Sequence, residues 1–136
     1  MGNEPLIVLD THALVWWVSG SKPLSARAKR EIRSAQTGGL LRVSAISLLE
    51  IATAVRRGRI ALGCPLDQWC EDLARLPELQ IQPVTAEIAR VAGSFDESAP
   101  GDPADRIIAA TALVLGARLV TADARLRRFP RVQTVW

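Results

Sequence analysis

The chain carries near its start the stretch Leu6-Ile7-Val8-Leu9-Asp10, a continuous apolar run that ends in a carboxylate. An apolar run without polar alternation is typical of a strand in a parallel sheet that is covered on both faces. A second run, Leu119-Val120, is followed shortly by Asp123. If the two strands are neighbours, both acids lie at the carboxyl edge of the sheet, where parallel sheets bind ligands.

Five apolar segments are predicted as strands, and helical segments alternate with them along the chain. The strands are expected at residues 6–9, 40–44, 79–84, 118–121 and 132–135. The helices are expected at residues 11–18, 25–36, 47–57 and 66–76, from residue 85 onward, and at 104–115 and 124–128. This order predicts a three-layer α/β/α fold with a central, mostly parallel sheet of about five strands.

Length and composition indicate a single domain that spans residues 1–136. The sequence is 49% hydrophobic, which argues against disorder and is sufficient for one core. No apolar stretch is long enough to span a bilayer and no secretion signal is recognisable, so we expect a cytoplasmic protein without membrane contact. Cys64, Cys70 and the single histidine, His12, lack the spacing of a zinc site. The net charge of +3 permits nucleic-acid binding without requiring it.

Two further acids stand near the heads of apolar helical segments. Glu50 follows Ser47, and Asp105 follows the pair Asp102-Pro103. Each acid has an ordinary alternative role, because Ser47 and Glu50 fit a capping box and the aspartates can cap helices. Four such roles at one rim of one sheet would be an improbable coincidence. Carboxylates that crowd together raise one another's pKa and destabilise the fold unless a cation shares the site, which predicts a divalent-metal site and phosphodiester chemistry.

Four blocks of the sequence, in this order and at this spacing, resemble PIN domains, and among them the VapC-type toxins of prokaryotic toxin–antitoxin modules. The resemblance covers essentially the whole chain, and the third block is the most specific. The blocks are Val8-Leu9-Asp10-Thr11-His12-Ala13-Leu14-Val15-Trp16, Ser44-Ala45-Ile46-Ser47-Leu48-Leu49-Glu50-Ile51-Ala52, Asp102-Pro103-Ala104-Asp105-Arg106-Ile107-Ile108-Ala109-Ala110-Thr111-Ala112 and Leu119-Val120-Thr121-Ala122-Asp123.

The resemblance implies a quartet of catalytic acids that holds Mg²⁺ or Mn²⁺. The members of this quartet are Asp10, Glu50, Asp105 and Asp123. The hydroxyl residues Thr11 and Thr121 match positions that support the first and the fourth acid. Two further motif residues, Asp102 and Arg106, match positions that shape the site without binding metal directly. From its chemistry alone, Arg106 could instead orient a carboxylate, contact phosphate or form a surface salt bridge.

The function implied by the resemblance is that of a metal-dependent endoribonuclease, the toxin of a type II, VapBC-like toxin–antitoxin system. Such an enzyme cleaves RNA with a metal-activated water and leaves a 5′-phosphate and a 3′-hydroxyl. A VapB-like antitoxin and a homodimer are the implied partners, with Trp16, Trp17 and Trp69 as candidates for apolar contacts. The RNA that is cut, the number of metal ions and the identity of the antitoxin stay open.

Two other functions are compatible with parts of the pattern. A phosphohydrolase with an aspartyl nucleophile also places an aspartate after its first strand, but His12 stands where it needs a second aspartate. A catalytically degenerate PIN-like domain that binds RNA or protein is the alternative from another class. The basic cluster Arg56, Arg57 and Arg59 is either a solvated face or, as a weaker prediction, a contact to the RNA backbone.

Overall fold

A computed structural model of the chain describes residues 5–136, in which five parallel strands form one sheet. The strands are β1 (Ile7–Leu9), β2 (Leu41–Ser44), β3 (Leu79–Gln82), β4 (Arg118–Val120) and β5 (Thr134–Val135). Their order across the sheet is β3-β2-β1-β4-β5. Residues 1–4, which the single-domain prediction includes, lie outside the described residues.

In the described part of the chain, seven helices connect or follow the strands. They are α1 (Thr11–Ser19), α2 (Ala26–Gly38), α3 (Ala45–Arg56), α4 (Leu66–Arg75), α5 (Ala86–Ser94), α6 (Pro103–Leu115) and α7 (Ala124–Arg128). None of the helices within residues 5–136 has the length and apolar character needed to cross a membrane.

The largest difference from the predicted boundaries is at the start of α3. The helix was predicted to open at Ser47, and this prediction is wrong; the capping box considered as the alternative role of Glu50 is not formed either. Its N-cap is Ser44, the last residue of β2, whose hydroxyl accepts a hydrogen bond from the Ile46 N–H at 3.1 Å. Because strand and helix share this residue, no loop separates them, and Glu50 lies in the second turn of α3 instead of the first.

Alternate side chains of the central strand β1 pack against helices on opposite faces of the sheet. In β1, Ile7 and Leu9 belong to a core with α1, α2, α3 and α4. Val8 belongs to a second core with α5, α6 and α7. All three side chains are at most 2% exposed, which explains the uninterrupted apolar sequence of this strand. The predicted three-layer α/β/α fold with about five strands is confirmed.

The strand order places one switch of direction between β1 and β4. After β1 the chain continues outward through β2 and β3, and it then returns to the other side of β1 as β4. Leu9 is paired with Val120 at the carboxyl ends of the two strands. Ligands of open parallel sheets bind outside the carboxyl ends at such a switch point, and Asp10 and Asp123 follow the two strands that flank it.

Candidate metal centre

All four acids of the predicted quartet line one cavity of about 420 Å³. They come from four separate parts of the chain: the residue after β1, the middle of α3, the first turn of α6, and the loop after β4. The cavity is lined by Asp10, Thr11, His12, Val15, Trp16, Glu50, Ile51, Ala54, Arg59, Ile60, Asp105, Ile108 and Asp123.

Asp10 is both a helix cap and part of the cavity wall. It is the N-cap of α1, and its Oδ1 accepts a hydrogen bond from the Ala13 N–H at 2.8 Å. Only 6% of the residue is exposed. Burial raises the pKa of this carboxyl, while hydrogen bonds from the Thr121 side chain and the Ala13 N–H oppose the rise. The buried charge therefore depends on a small number of donors.

Asp123 combines the same two roles at the neighbouring strand. As N-cap of α7, its Oδ1 accepts from the N–H groups of Arg125 and Leu126, at 2.8 and 3.3 Å. The Thr121 hydroxyl accepts from the Asp123 N–H at 3.0 Å and also pairs with the Asp10 carboxyl. Thr121 therefore links the first acid of the quartet to the backbone of the fourth.

Glu50 is oriented by a pair of hydroxyl groups. The Thr11 hydroxyl is hydrogen-bonded to Glu50 Oε1 and lies 2.9 Å from the Ser47 hydroxyl. A single hydroxyl proton cannot serve both partners, so Thr11 donates to Glu50 and accepts from Ser47. Thr11 had been predicted to support Asp10, and the structure corrects this, because its side chain pairs with the second acid.

Ser47 is a support that the sequence reasoning assigned to another role. It was interpreted as a helix cap, whereas it is fully buried inside α3, one turn before Glu50. A polar residue three positions before a candidate ligand on the same helix was the available signal, because residues at that spacing share a helix face.

Asp102 and Asp105 stand together at the start of α6. Asp102 is the exposed N-cap, and its Oδ1 accepts from the N–H groups of Ala104 and Asp105. Carboxylate oxygens of Glu50, Asp102 and Asp105 all lie within 4.8 Å of one another. The resemblance implied that Asp102 only shapes the site, but its carboxylate is as close to this pair as a direct ligand would be.

The crowding of negative charge falls most heavily on Asp105. Its pKa is raised to about 7, first by burial and then by the charges of Asp102, Asp123, Glu50 and Asp10. At neutral pH Asp105 is therefore only about half ionised, as expected of a half-buried carboxyl crowded by other anions.

Within residues 5–136, no arginine, lysine or histidine forms an ion pair with any of these five acids. The one salt bridge found there joins Arg118 to Glu31. Carboxylate oxygens are hard donors of the kind that Mg²⁺ prefers, and a divalent cation would supply the missing positive charge. The donor set at the cavity therefore fits such an ion.

Arg106 has a structural task next to the centre. Its guanidinium donates to the carbonyls of Ala92 at 3.0 Å, Pro100 at 3.1 Å and Phe95. It also lies over the Phe95 ring, 5.9 Å from the centroid. These contacts fasten the end of α5 and the following loop to α6. Of the three roles considered from its chemistry, a carboxylate clamp, a phosphate contact and a salt bridge, none corresponds to these bonds.

The basic cluster after α3 is only partly in the cavity. Arg59 lines the cavity wall together with Ala54 and Ile60. Arg56 and Arg57 are exposed and lie outside that wall. The structure therefore places one of the three arginines beside the acids and the other two on the adjoining surface.

The PIN domain family matches residues 7–132 of the chain. Ribonuclease VapC22 of Mycobacterium tuberculosis (strain ATCC 25618 / H37Rv) is 41% identical over 132 residues, which cover 96% of this chain and 98% of that protein.

Three solved structures of similar fold match nearly the whole chain. VapBC2 from Rickettsia felis, bound to a promoter DNA fragment, gives a TM-score of 0.69 at 16% identity and covers 96% of this chain and 98% of that one. FitAcB from Neisseria gonorrhoeae gives 0.68 at 22% identity, with coverage of 96% and 97%. DNA-bound VapBC from Salmonella typhimurium gives 0.68 at 17% identity, with coverage of 97% and 98%. At these identities the likeness concerns the fold.

Proposed function

The chain belongs to the PIN-domain family, as its sequence motifs indicated, and on that premise we propose that it is a metal-dependent endoribonuclease. The observation that carries the proposal is the meeting of Asp10, Glu50, Asp105 and Asp123 in one cavity without a cationic side chain paired to any of them in residues 5–136. A relative that is 41% identical over 96% of the chain carries the name ribonuclease.

The acids differ in how they would hold a divalent ion. Glu50 and Asp105 line the cavity and also belong to the group of three carboxylates, with Asp102, whose oxygens lie within 4.8 Å of one another. They are therefore the central pair of proposed ligands. Asp10 and Asp123 complete the quartet, and Asp102 is a fifth candidate from the rim. Mg²⁺ is the expected ion and Mn²⁺ an alternative. When bound, it would supply positive charge to a phosphodiester and lower the pKa of a water.

The remaining residues at the centre act by holding the acids in place. Thr11 and Ser47 fix the carboxylate of Glu50, and Thr121 with the Ala13 N–H fixes that of Asp10. A ligand set held this way needs little reorganisation when metal and substrate bind, which favours catalysis. Deprotonation of Asp105 accompanies the entry of a cation, because a ligating carboxylate must be charged.

In the proposed function, the RNA contacts a basic surface next to the acidic centre. Arg59 lies in the wall of the cavity, and Arg56 with Arg57 extends positive charge away from it. Cationic side chains along the path of an RNA strand bind its phosphates without sequence preference, and they make the affinity for RNA depend on the salt concentration. The arginines thereby offset the repulsion between the acids and the RNA backbone.

The biological setting that we propose is a VapBC-like toxin–antitoxin pair. One chain in each of the VapBC2 and FitAcB structures has a fold similar to that of this protein. A VapB-like antitoxin is the proposed inhibitor, since a basic side chain placed in the acidic cavity would be attracted by its charge. A second copy of this chain is the proposed partner in a homodimer.

The test is an RNA cleavage assay with added Mg²⁺ or Mn²⁺ and with chelator. Wild type should cut a mixed pool of cellular RNA only with metal and leave 5′-phosphate ends, and Asp10→Asn and Asp105→Asn should be at least about 100-fold slower. Asp67→Asn is the matched control, because Asp67 is an exposed acid in the first turn of α4. Metal-independent cleavage, or full activity in Asp105→Asn, would reject the proposal.

A further inference from the structure

Three aromatic side chains form a row beside the acids. His12 and Trp16 stand one helical turn apart on α1, with ring centroids separated by 5.5 Å. The Trp16 ring is 5.8 Å from that of Trp136, which directly follows β5. Since α1 follows β1, all three rings belong to the carboxyl edge of the sheet, where the acids are.

Part of this row faces the cavity. Among the described residues, His12 and Trp16 are the aromatic side chains that line it together with the four acids. Trp136 is not part of the lining. The row therefore begins at the cavity wall and continues away from the acids along the surface.

Core packing explains only one side of these rings. Trp16 and Trp136 pack against the core on the α1 face of the sheet, yet both keep a partly exposed surface, and His12 is exposed. By contrast, Trp69 is only 9% exposed and is accounted for by burial. Exposed aromatic surface next to a polar cavity is a recurrent feature of ligand sites.

We propose that the row formed by His12, Trp16 and Trp136 is a stacking platform for nucleobases of the RNA strand whose phosphate lies at the acids. The inference rests on the proposed function and deepens it by naming a subsite for the substrate. Bases stack on aromatic faces in proteins that bind single-stranded nucleic acids, and this contact tolerates any sequence.

The length of the row favours an RNA strand as its ligand over a single side chain of a protein partner. A guanidinium group from a protein partner needs only one ring for a cation–π contact. Here successive rings lead out of the cavity, as they do where consecutive nucleotides follow one another. Arg59 lies in the wall of the same cavity, so a phosphate contact and aromatic faces are both available to one strand.

The experiment compares binding of two single-stranded RNA probes to the cleavage-deficient Asp10→Asn protein. One probe is a random-sequence octamer, and the other has the same backbone with abasic positions. The platform predicts that the base-bearing octamer binds about 5- to 100-fold more tightly. This ratio should fall at least about 5-fold with Trp16→Leu added, which keeps apolar packing but removes the central aromatic face.

Two further variants guard against a folding defect. His12→Ala changes an exposed residue and should lower the ratio at least about 2-fold. Trp17→Leu is the matched control, because Trp17 is the next residue of α1 but does not line the cavity, and it should leave the ratio unchanged. Unchanged ratios in both Trp16→Leu and His12→Ala overturn the platform, and so does equal binding of the two probes by the parent protein.

The remaining outcomes separate this inference from the proposed function. Cleavage of RNA by wild type together with equal binding of both probes rejects the platform alone. Base-dependent binding through Trp16 without metal-dependent cleavage by wild type supports the platform and rejects the nuclease. A Trp16 fluorescence change with an arginine-rich peptide but not with RNA assigns the row to a protein partner and overturns the inference.

Discussion

At the scale of single residues, three acids of the centre are helix caps as well as candidate ligands. Asp10, Asp102 and Asp123 each accept backbone N–H bonds through Oδ1 at the start of a helix. The capping interpretation and the metal interpretation of these residues are therefore compatible. Asparagine caps helices about as well as aspartate, so Asp→Asn substitutions remove the charge with little loss of the cap.

The pH dependence of metal-free stability is the first prediction at this scale. The pKa of Asp105 is about 7 in the folded protein and 3.8 in the unfolded reference. A raised carboxyl pKa means that the folded state holds the proton longer, so this group's contribution to stability falls as pH rises from about 4 to about 7. The difference in unfolding free energy, Asp105→Asn minus wild type, should increase over this window in chelator.

Urea unfolding at pH 5 and pH 8 measures that difference, with Asp67→Asn as the control that follows wild type at both values. Saturating Mg²⁺ should remove most of the pH dependence of the unfolding free energy in wild type. It should leave the pH dependence of this quantity unchanged in Asp105→Asn. A wild type whose stability relative to Asp105→Asn rises between pH 5 and pH 8 in chelator would contradict the raised pKa.

The hydroxyl pair beside Glu50 gives a second prediction. Thr11→Val and Ser47→Ala remove the donor to Glu50 or its support, and each should lower kcat/KM for RNA or the affinity for metal about 10- to 100-fold. Thr11→Ser keeps the hydroxyl and should restore most of the loss. Metal titrations and RNA cleavage rates, measured on the three variants, test this prediction. If Thr11→Val and Thr11→Ser have the same metal affinity and the same kcat/KM, the Thr11 hydroxyl does not act on Glu50.

At the scale of elements, α6 depends on one side chain to hold its neighbours. Arg106 donates to three carbonyls at the end of α5 and in the loop that leads to Asp102. Hydrogen bonds to a charged group contribute about 1.5–3 kcal/mol each, and their losses are not additive. We therefore expect Arg106→Met to destabilise the fold by about 3 kcal/mol in urea unfolding.

Arg90→Met is the control for that substitution, because Arg90 is exposed on α5 and should change stability by less than about 0.5 kcal/mol. The loop that Arg106 holds leads directly to Asp102 and Asp105, two of the proposed metal ligands. Arg106→Met should therefore also weaken metal binding. A stability unchanged by Arg106→Met would mean that the three carbonyls find other partners.

The end of α3 carries the prediction for the basic cluster. The slope of log affinity against log salt concentration is negative. If Arg56 and Arg57 each contact one phosphate of single-stranded RNA, the double alanine variant should make this slope less negative by about 1.4. Arg27 and Arg30, exposed on α2, provide the matched double variant. An equal slope in wild type and Arg56→Ala/Arg57→Ala would remove these two residues from the RNA surface and leave Arg59 to be tested alone.

At the scale of the whole molecule, the sheet and its order of elements follow from local patterns. Continuous apolar runs such as Leu6 to Leu9 indicated strands buried on both faces, and Ser25, Thr85 and Asp102 marked helix starts that the structure retains. The meeting of the four acids in one cavity was expected from parallel topology, because strand-to-helix loops share one edge. The identity of the ligands stays a prediction until a metal is measured.

Features that depend on side-chain contacts between distant elements could not be predicted from local sequence patterns. Two serines near the start of α3 both fit a cap, and only the direct passage from β2 into the helix selects Ser44. The pairing of Thr11 with Glu50 joins α1 to α3 and has no local signature. The contact between Trp16 and Trp136 likewise depends on how β5 packs beside β4 and on where α1 lies.

The most direct measurement is a calorimetric titration of Mn²⁺ into the protein at pH 6.5 and pH 8.5, in buffers of different ionisation enthalpy. Entry of the ion at pH 6.5 should release about 0.75 proton, because Asp105 is protonated to about that fraction there, and release at pH 8.5 should be near zero. Asp105→Asn should bind at least about 10-fold more weakly and release no proton at either pH. Binding of Mn²⁺ without proton release at pH 6.5, or equal affinity in Asp105→Asn, would contradict a cation shared by these carboxylates.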